Sequence, residues 1–221
     1  MSGAPRGSRA LPLAAALDAH SAELACCRRC GHPESEVLPI LSDARAPIAM
    51  LVGQAPGRTE TFDRRPFAGR AGRTLFRWLG DAGLEEADAR SSIYIAAITR
   101  CYPGPSPTGR GDRVPSPSEI AHCSSWLDAE LRLIAPRLLI PVGRLANDRF
   151  FGSVALADVV GRAHRIAHVG GESIAIPLPH PSGASSWIHQ PGHGELLRAA
   201  LGLLRDALSM ESASSASRRV A

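Results

Sequence analysis

Four groups of residues in this chain have types and spacings that can do chemistry. Cys27-Arg28-Arg29-Cys30 is a C-x2-C pair, and Cys101 and Cys123 follow far downstream, with 21 residues between them. Zinc sites usually come as two close pairs, and here only the first pair is close. Four thiolates holding an iron–sulfur cluster tolerate wider spacing if the fold gathers them. The alternative is that Cys101 and Cys123 are ordinary buried thiols; Cys26 is a substitute for Cys27 in either case. The second group is Gly53-Gln54-Ala55-Pro56-Gly57, followed by the acids Glu60 and Asp63 and by Phe67. The third is His180-Pro181-Ser182. The fourth is arginine: Arg58, Arg64, Arg65, Arg70, Arg73 and Arg77 stand against only Glu60 and Asp63 in that segment. Ser182 lacks the G-x-S-x-G elbow of a serine hydrolase, so nucleophilic catalysis is the weaker reading of these groups.

The elements that must position these groups alternate between strand and helix. Residues 47–53, 93–99, 138–143 and 173–178 are short continuous apolar runs, the pattern of strands buried on both faces. Leu75, Trp78, Leu79 and Ala82 recur at helical spacing within a helix beginning near Ala71. Ser116-Pro117-Ser118-Glu119 is a capping box with proline at the first helical position, so a helix starts there and runs past Cys123 and Trp126 to Leu131. A last amphipathic helix is expected from about Gly194 to Leu208, and residues 102–118, with five prolines, read as a long surface loop. This order predicts a three-layer α/β/α sandwich around a mostly parallel, four-stranded central sheet. Sites in such folds lie at the carboxyl ends of the strands. That is where Gly53-Gln54, Arg100-Cys101 and His180-Pro181-Ser182 fall.

Length and composition bound the rest. The chain has 221 residues, 44% of them hydrophobic, enough for one domain with a sizeable core. The expected organisation is a loose segment at 1–10, a single domain over 11–209 and a loose tail at 210–221. The apolar run from Leu11 to Leu17 is too short to span a membrane. It is read as the start of a helix in a cytoplasmic protein, where clustered cysteines serve as ligands rather than disulfides. All 25 basic residues are arginine and none is lysine. That excludes a phosphate-loop lysine, a Schiff-base lysine and a lysine general base. The net charge of +4 permits an anionic partner, although an all-arginine composition also follows from a GC-rich genome.

In order, these segments resemble the iron–sulfur uracil-DNA glycosylases, families 4 and 5 of the uracil-DNA glycosylase superfamily. The resemblance runs over residues 24–205. It rests on Cys27-x2-Cys30, Gly53-Gln54-Ala55-Pro56-Gly57-Arg58-Thr59-Glu60, Pro66-Phe67-Ala68-Gly69-Arg70-Ala71-Gly72, Arg100-Cys101-Tyr102-Pro103, Asp112-Arg113-Val114-Pro115 with Glu119 and Cys123 at matching spacing, and His180-Pro181-Ser182. It implies a 4Fe-4S cluster on Cys27, Cys30, Cys101 and Cys123, most simply structural. It also implies excision of uracil from DNA, leaving an abasic site, by a protein acting as a monomer.

Three departures matter. Gln54 stands where family 4 has a catalytic Glu, as family 5 also lacks that acid. Ala97 replaces the uracil-reading Asn of family 4, and the loop after Cys101 is longer. The chain fits neither subgroup fully.

By this resemblance His180 donates to the uracil O2 as negative charge develops, Gln54 orients a water, and Glu60 polarises it, with Asp63 the weaker candidate. Phe67 stacks on the extruded base, and backbone groups of Gln54, Ala55 and Gly57 read its edge. The loss of the Asn at Ala97 predicts a base range wider than uracil. Arg58, Arg70 and Arg73 are the expected phosphate contacts, with Ser182, and Arg100, Arg110 and Arg113 extend the track. Trp187 or Ile188 either wedges into the duplex or anchors its loop to the core. A second reading, motivated by Gln54, is a relative that binds or traps uracil-DNA without turnover.

Overall fold

The computed structural model describes residues 12–31, 37–108, 111–182 and 186–220, with side chains to 214. The expected loose segment at 1–10, Arg110 and residues 183–185 lie outside the described residues. Helix α1 (Leu13–Ala25) leads through an extended segment to β1 (Ala49–Gly53). Then come α2 (Arg58–Asp63), α3 (Arg70–Asp81), α4 (Glu86–Ser92), β2 (Ile93–Ala97), α5 (Pro117–Ile134), β3 (Leu138–Pro141), α6 (Arg144–Phe151) and α7 (Leu156–Val159). The chain closes with β4 (His164–His168), β5 (Gly171–Ala175), a 3-10 turn at Trp187–His189 and α8 (His193–Val220).

The sheet order is β2-β1-β3-β5-β4. The first three pairings are parallel and β4–β5 is antiparallel. The sheet therefore has five strands where four were expected. The added one, β4, reads His-Arg-Ile-Ala-His and is only alternately covered, so it lacks the continuous apolar run that marks a doubly buried strand. Helix α8 runs on through residues 210–220.

Apolar strands fill both faces, as alternation dictates. Leu51, Ile93, Ile95 and Ile140 pack with Leu75 and Leu79 of α3 and Leu201 and Leu204 of α8. Met50, Val52, Tyr94 and Leu139 pack the opposite way, with Leu17 of α1 and Leu127 and Leu131 of α5. This is the expected three-layer sandwich. The start of α5 is built as its sequence says: Glu119 N–H donates to Ser116 Oγ at 3.3 Å, and Ser116 N–H donates to Glu119 Oε2 at 2.7 Å. Among the described residues no helix is long and apolar enough to cross a membrane.

Candidate active site

The carboxyl ends of β1 and β2 open into a cavity of about 610 Å³, whose wall includes Gln54, Gly57, Glu60, Phe67, Ala97 and His180. The loop leaving β1 is tied to the one leaving β2. Ile98 N–H donates to Gly53 O at 3.0 Å and Thr99 N–H to Gln54 O at 3.2 Å. Gly53 is needed for space, since a Cβ there would lie 3.1 Å from Cζ of Phe67. The ring of Phe67 thus lies across the end of β1.

Glu60 is buried and accepts a hydrogen bond from Gly69 N–H at 3.2 Å. Asp63 is exposed and is not part of the cavity wall, so of the two acids only Glu60 faces the site. Asp112 faces it too, which its place in the sequence did not single out. A Cβ at Gly57 would stand 2.8 Å from Glu60 Oε2 and 3.0 Å from Asp112 Oδ2. Two carboxylates therefore flank one glycine at the pocket wall, and a side chain at 57 would push at least the Glu60 carboxylate aside.

His180 follows β5 and is held by its own loop. Ser182 N–H donates to Nδ1 at 3.2 Å, and the Ser182 hydroxyl lies 2.8 Å from the same nitrogen. Nδ1 is thus the acceptor, which leaves the proton on Nε2. Burial pushes His180 below the usual histidine range, so the ring is a neutral donor at neutral pH. Beneath it lies Gly143, where a Cβ would come within 3.0 Å of the imidazole Cδ2. Asn147 Nδ2 donates to Gly143 O at 2.8 Å and fixes that turn.

The guanidinium groups of Arg58 and Arg70 are exposed on the pocket wall, and that of Arg73 is exposed one turn further along α3. Within the described residues they make no hydrogen bond or ion pair. Arg100 does not extend this track as expected, whereas Arg113 is on the cavity wall and ion-paired. Arg100 is buried on Glu130, and Arg113 forks onto Glu119 at 2.6 and 2.7 Å. Glu130 also accepts from Tyr94 Oη at 2.9 Å and His20 Nε2 at 3.1 Å. Burial would raise its pKa, but Arg100 and His20 outweigh burial and hold it below the usual carboxylate range. Trp187 is half-buried, packs on the core and stacks on His193 at 4.2 Å between ring centroids. Ile188 packs on the same core.

A second cavity, about 80 Å³ and mostly apolar, is lined by Cys27, Cys30, Cys101 and Cys123 together. Cys26 is exposed and not part of it. Trp126 Nε1–H donates to Cys27 Sγ and Arg100 N–H to Cys123 Sγ, both at 3.3 Å. Such N–H donors suit thiolate sulfur. Burial pushes the thiols up, Cys101 to about 12 and Cys123 to about 11, so a bound cation is what would keep them ionised. Among the described residues no three His, Cys, Asp or Glu side chains stand close enough to hold a single metal ion. Arg100 is on the wall of both cavities.

The uracil DNA glycosylase superfamily profile matches residues 41–201. The type-4 uracil-DNA glycosylase of Archaeoglobus fulgidus is 28% identical over 167 residues, which is 72% of this chain and 78% of that protein. The type-4 enzyme of Saccharolobus solfataricus is 26% identical over 201 residues, 87% of each chain. The type-5 uracil-DNA glycosylase of Pyrobaculum aerophilum is 33% identical over 122 residues, 49% of this chain and 50% of its own. The pocket at the strand ends and the profile that covers all of its wall but Ile40 agree, and the chain belongs to the uracil DNA glycosylase superfamily.

Proposed function

We propose that this protein is a monofunctional DNA glycosylase that hydrolyses the N-glycosidic bond of uracil in DNA and leaves an abasic site. The observation that carries this reading is the convergence of His180, Phe67 and the Gln54–Glu60 loop on one cavity at the strand ends. An extruded base stacks on Phe67, and backbone groups of Gln54, Ala55 and Gly57 address its edge. As the C1′–N1 bond breaks, the base leaves as an anion. Nε2–H of His180 donates to its O2, a fixed donor aimed at developing charge. Water adds to C1′, oriented by the Gln54 amide, and its proton passes to the Glu60 carboxylate. Arg58, Arg70, Arg73 and Ser182 hold the phosphates, while Trp187 packs against the core.

Cys27, Cys30, Cys101 and Cys123 would hold a 4Fe-4S cluster, as their convergence on one apolar cavity and their two N–H donors support. When bound, that group supplies a crosslink between the end of α1, the β2 exit and α5 rather than redox chemistry. The working unit is one copy of the chain, acting on uracil-containing DNA in the cytoplasm.

Gln54 in place of an acid favours a second reading, binding or trapping without turnover. A uracil oligonucleotide incubated with the protein and then treated with alkali decides. Strand cleavage supports the glycosylase; intact DNA with a protein-sized gel shift overturns it in favour of trapping.

A further inference from the structure

Phe67 stands on backbone that its residue type disfavours. Its φ is +51°, in the left-handed region, where a bulky side chain persists only if its surroundings over-determine it. Those surroundings are specific. Arg90, at the end of α4, donates from Nη1 to Pro66 O at 2.8 Å and from Nη2 to Phe67 O at 3.2 Å. The Arg90 side chain is 7% exposed. Its Nε donates to Glu86 Oε1 at 2.8 Å, and its Cζ lies 4.1 Å from the ring centroid of Phe76. The guanidinium is thus braced on every side before it reaches the two carbonyls. The Phe67 carbonyl in turn presses into α3 at Gly72, where a Cβ would fall 1.7 Å from it. Arg90 itself is absent from the pocket wall, whereas Pro66 and Phe67 are on it.

We propose that Arg90 is a positioning residue: its fork holds the Pro66–Phe67 turn in the left-handed conformation and so presents the Phe67 ring to the base. This rests on the reading of the cavity as a base pocket. A planar fork suits the task because two successive carbonyls must be satisfied at once, and a lysine ammonium, a point donor, cannot reproduce that geometry. The competing account is that Arg90 only packs α4 on α3, ion-paired to Glu86 within α4 and stacked on Phe76 of α3, in which case its loss would destabilise the protein without addressing Phe67.

The test uses Arg90→Gln, Arg90→Lys, Phe67→Ala and the Arg90→Gln/Phe67→Ala pair in the full-length protein. Single-turnover excision is measured on a uracil oligonucleotide, beside Tm. The fluorine NMR spectrum of fluorophenylalanine-labelled protein is recorded as well, with the Phe67 line assigned by its loss in Phe67→Leu. Arg90→Gln is expected to slow excision by up to the order of 10²-fold, the penalty of a misplaced reacting group. It should move the Phe67 line while leaving those of Phe62, Phe150 and Phe151 in place. In the Phe67→Ala background the same change should slow excision no further, since a residue that acts through Phe67 has nothing left to act on. Equal slowing in both backgrounds, or an unmoved Phe67 line, overturns the proposal. If Arg90→Gln does not fold, Arg90→Lys decides: a shifted Phe67 line supports the fork, and a wild-type line with wild-type rate overturns it. Should the wild-type protein excise no base at all, it is the glycosylase reading that fails, and the NMR comparison still decides what Arg90 does.

Discussion

His180 shows how a single residue becomes a directed donor. Its two contacts with Ser182 occupy Nδ1, and burial removes its charge, so Nε2–H is the group left to offer. Replacing it with alanine should cut the single-turnover rate by about 10²–10³-fold, the usual loss for one oxyanion donor, with little change in binding of uracil-free DNA. The pH profile follows from the sign of the shift. Because the buried ring resists protonation, excision should hold from neutrality to below the ordinary histidine value of 6.5. It should fall only at lower pH, when Nδ1 takes a proton and can no longer accept from Ser182. Ala97 is the complementary case, a missing amide on the pocket wall. Ala97→Asn should narrow excision toward uracil in a panel that includes hypoxanthine and xanthine; wild-type cleavage of uracil alone would remove the basis for that expectation. The cysteines, His180, Gln54 and Glu60 were legible in the sequence because each sits in a short motif. Arg90 and Gly143 were not, because their roles come from distances that close only in the fold, and Asp112, though it sits in a motif, shows its place beside Glu60 only there.

The same division holds at the scale of elements. The start of α5 could be read directly, since Ser116, Pro117 and Glu119 satisfy the helix end through local contacts. β4 could not, because an edge strand needs only one covered face and its five residues include two His and an Arg. The cap also carries a pH dependence. The hydrogen-bonded Arg113 fork holds Glu119 down at about 2, against an ordinary value of 4.5. A carboxylate lowered on folding stabilises above its unfolded pKa and loses that contribution as pH falls through the folded one. The stability from Glu119 should therefore be full above 4.5 and vanish progressively toward 2. Thermal melts of Glu119→Gln across that window should show a lower Tm at neutral pH and a flatter acid limb than the wild type. Ser116→Ala should cost about 1 kcal/mol at neutral pH and less as pH falls through the Glu119 window, because the Ser116 side chain also hydrogen-bonds the ionised Glu119.

At the scale of the whole molecule, the two cavities share a wall, and Arg100 is in it. Its backbone N–H meets Cys123, its side chain is locked on Glu130, and the next residue is Cys101. Anything that holds the four cysteines therefore also fixes the segment that receives the Gln54 loop through Thr99. Cys101→Ser should lose the brown colour of a cluster, lower Tm and slow excision together. Loss of colour with an unchanged rate would show that the two ends of the molecule are independent. The absence of lysine acts at this scale too, because it withdraws one chemistry from every surface of the molecule. Glycosylases that also nick the strand use an amine to form a Schiff base with the sugar, and here no side chain supplies one. Borohydride added during turnover should therefore leave no covalent protein–DNA adduct, and the product should stay uncut until alkali is added. Because the exposed arginines at the pocket mouth carry charge but cannot form an imine, the protein can grip the phosphates closely without attacking the sugar it has just exposed.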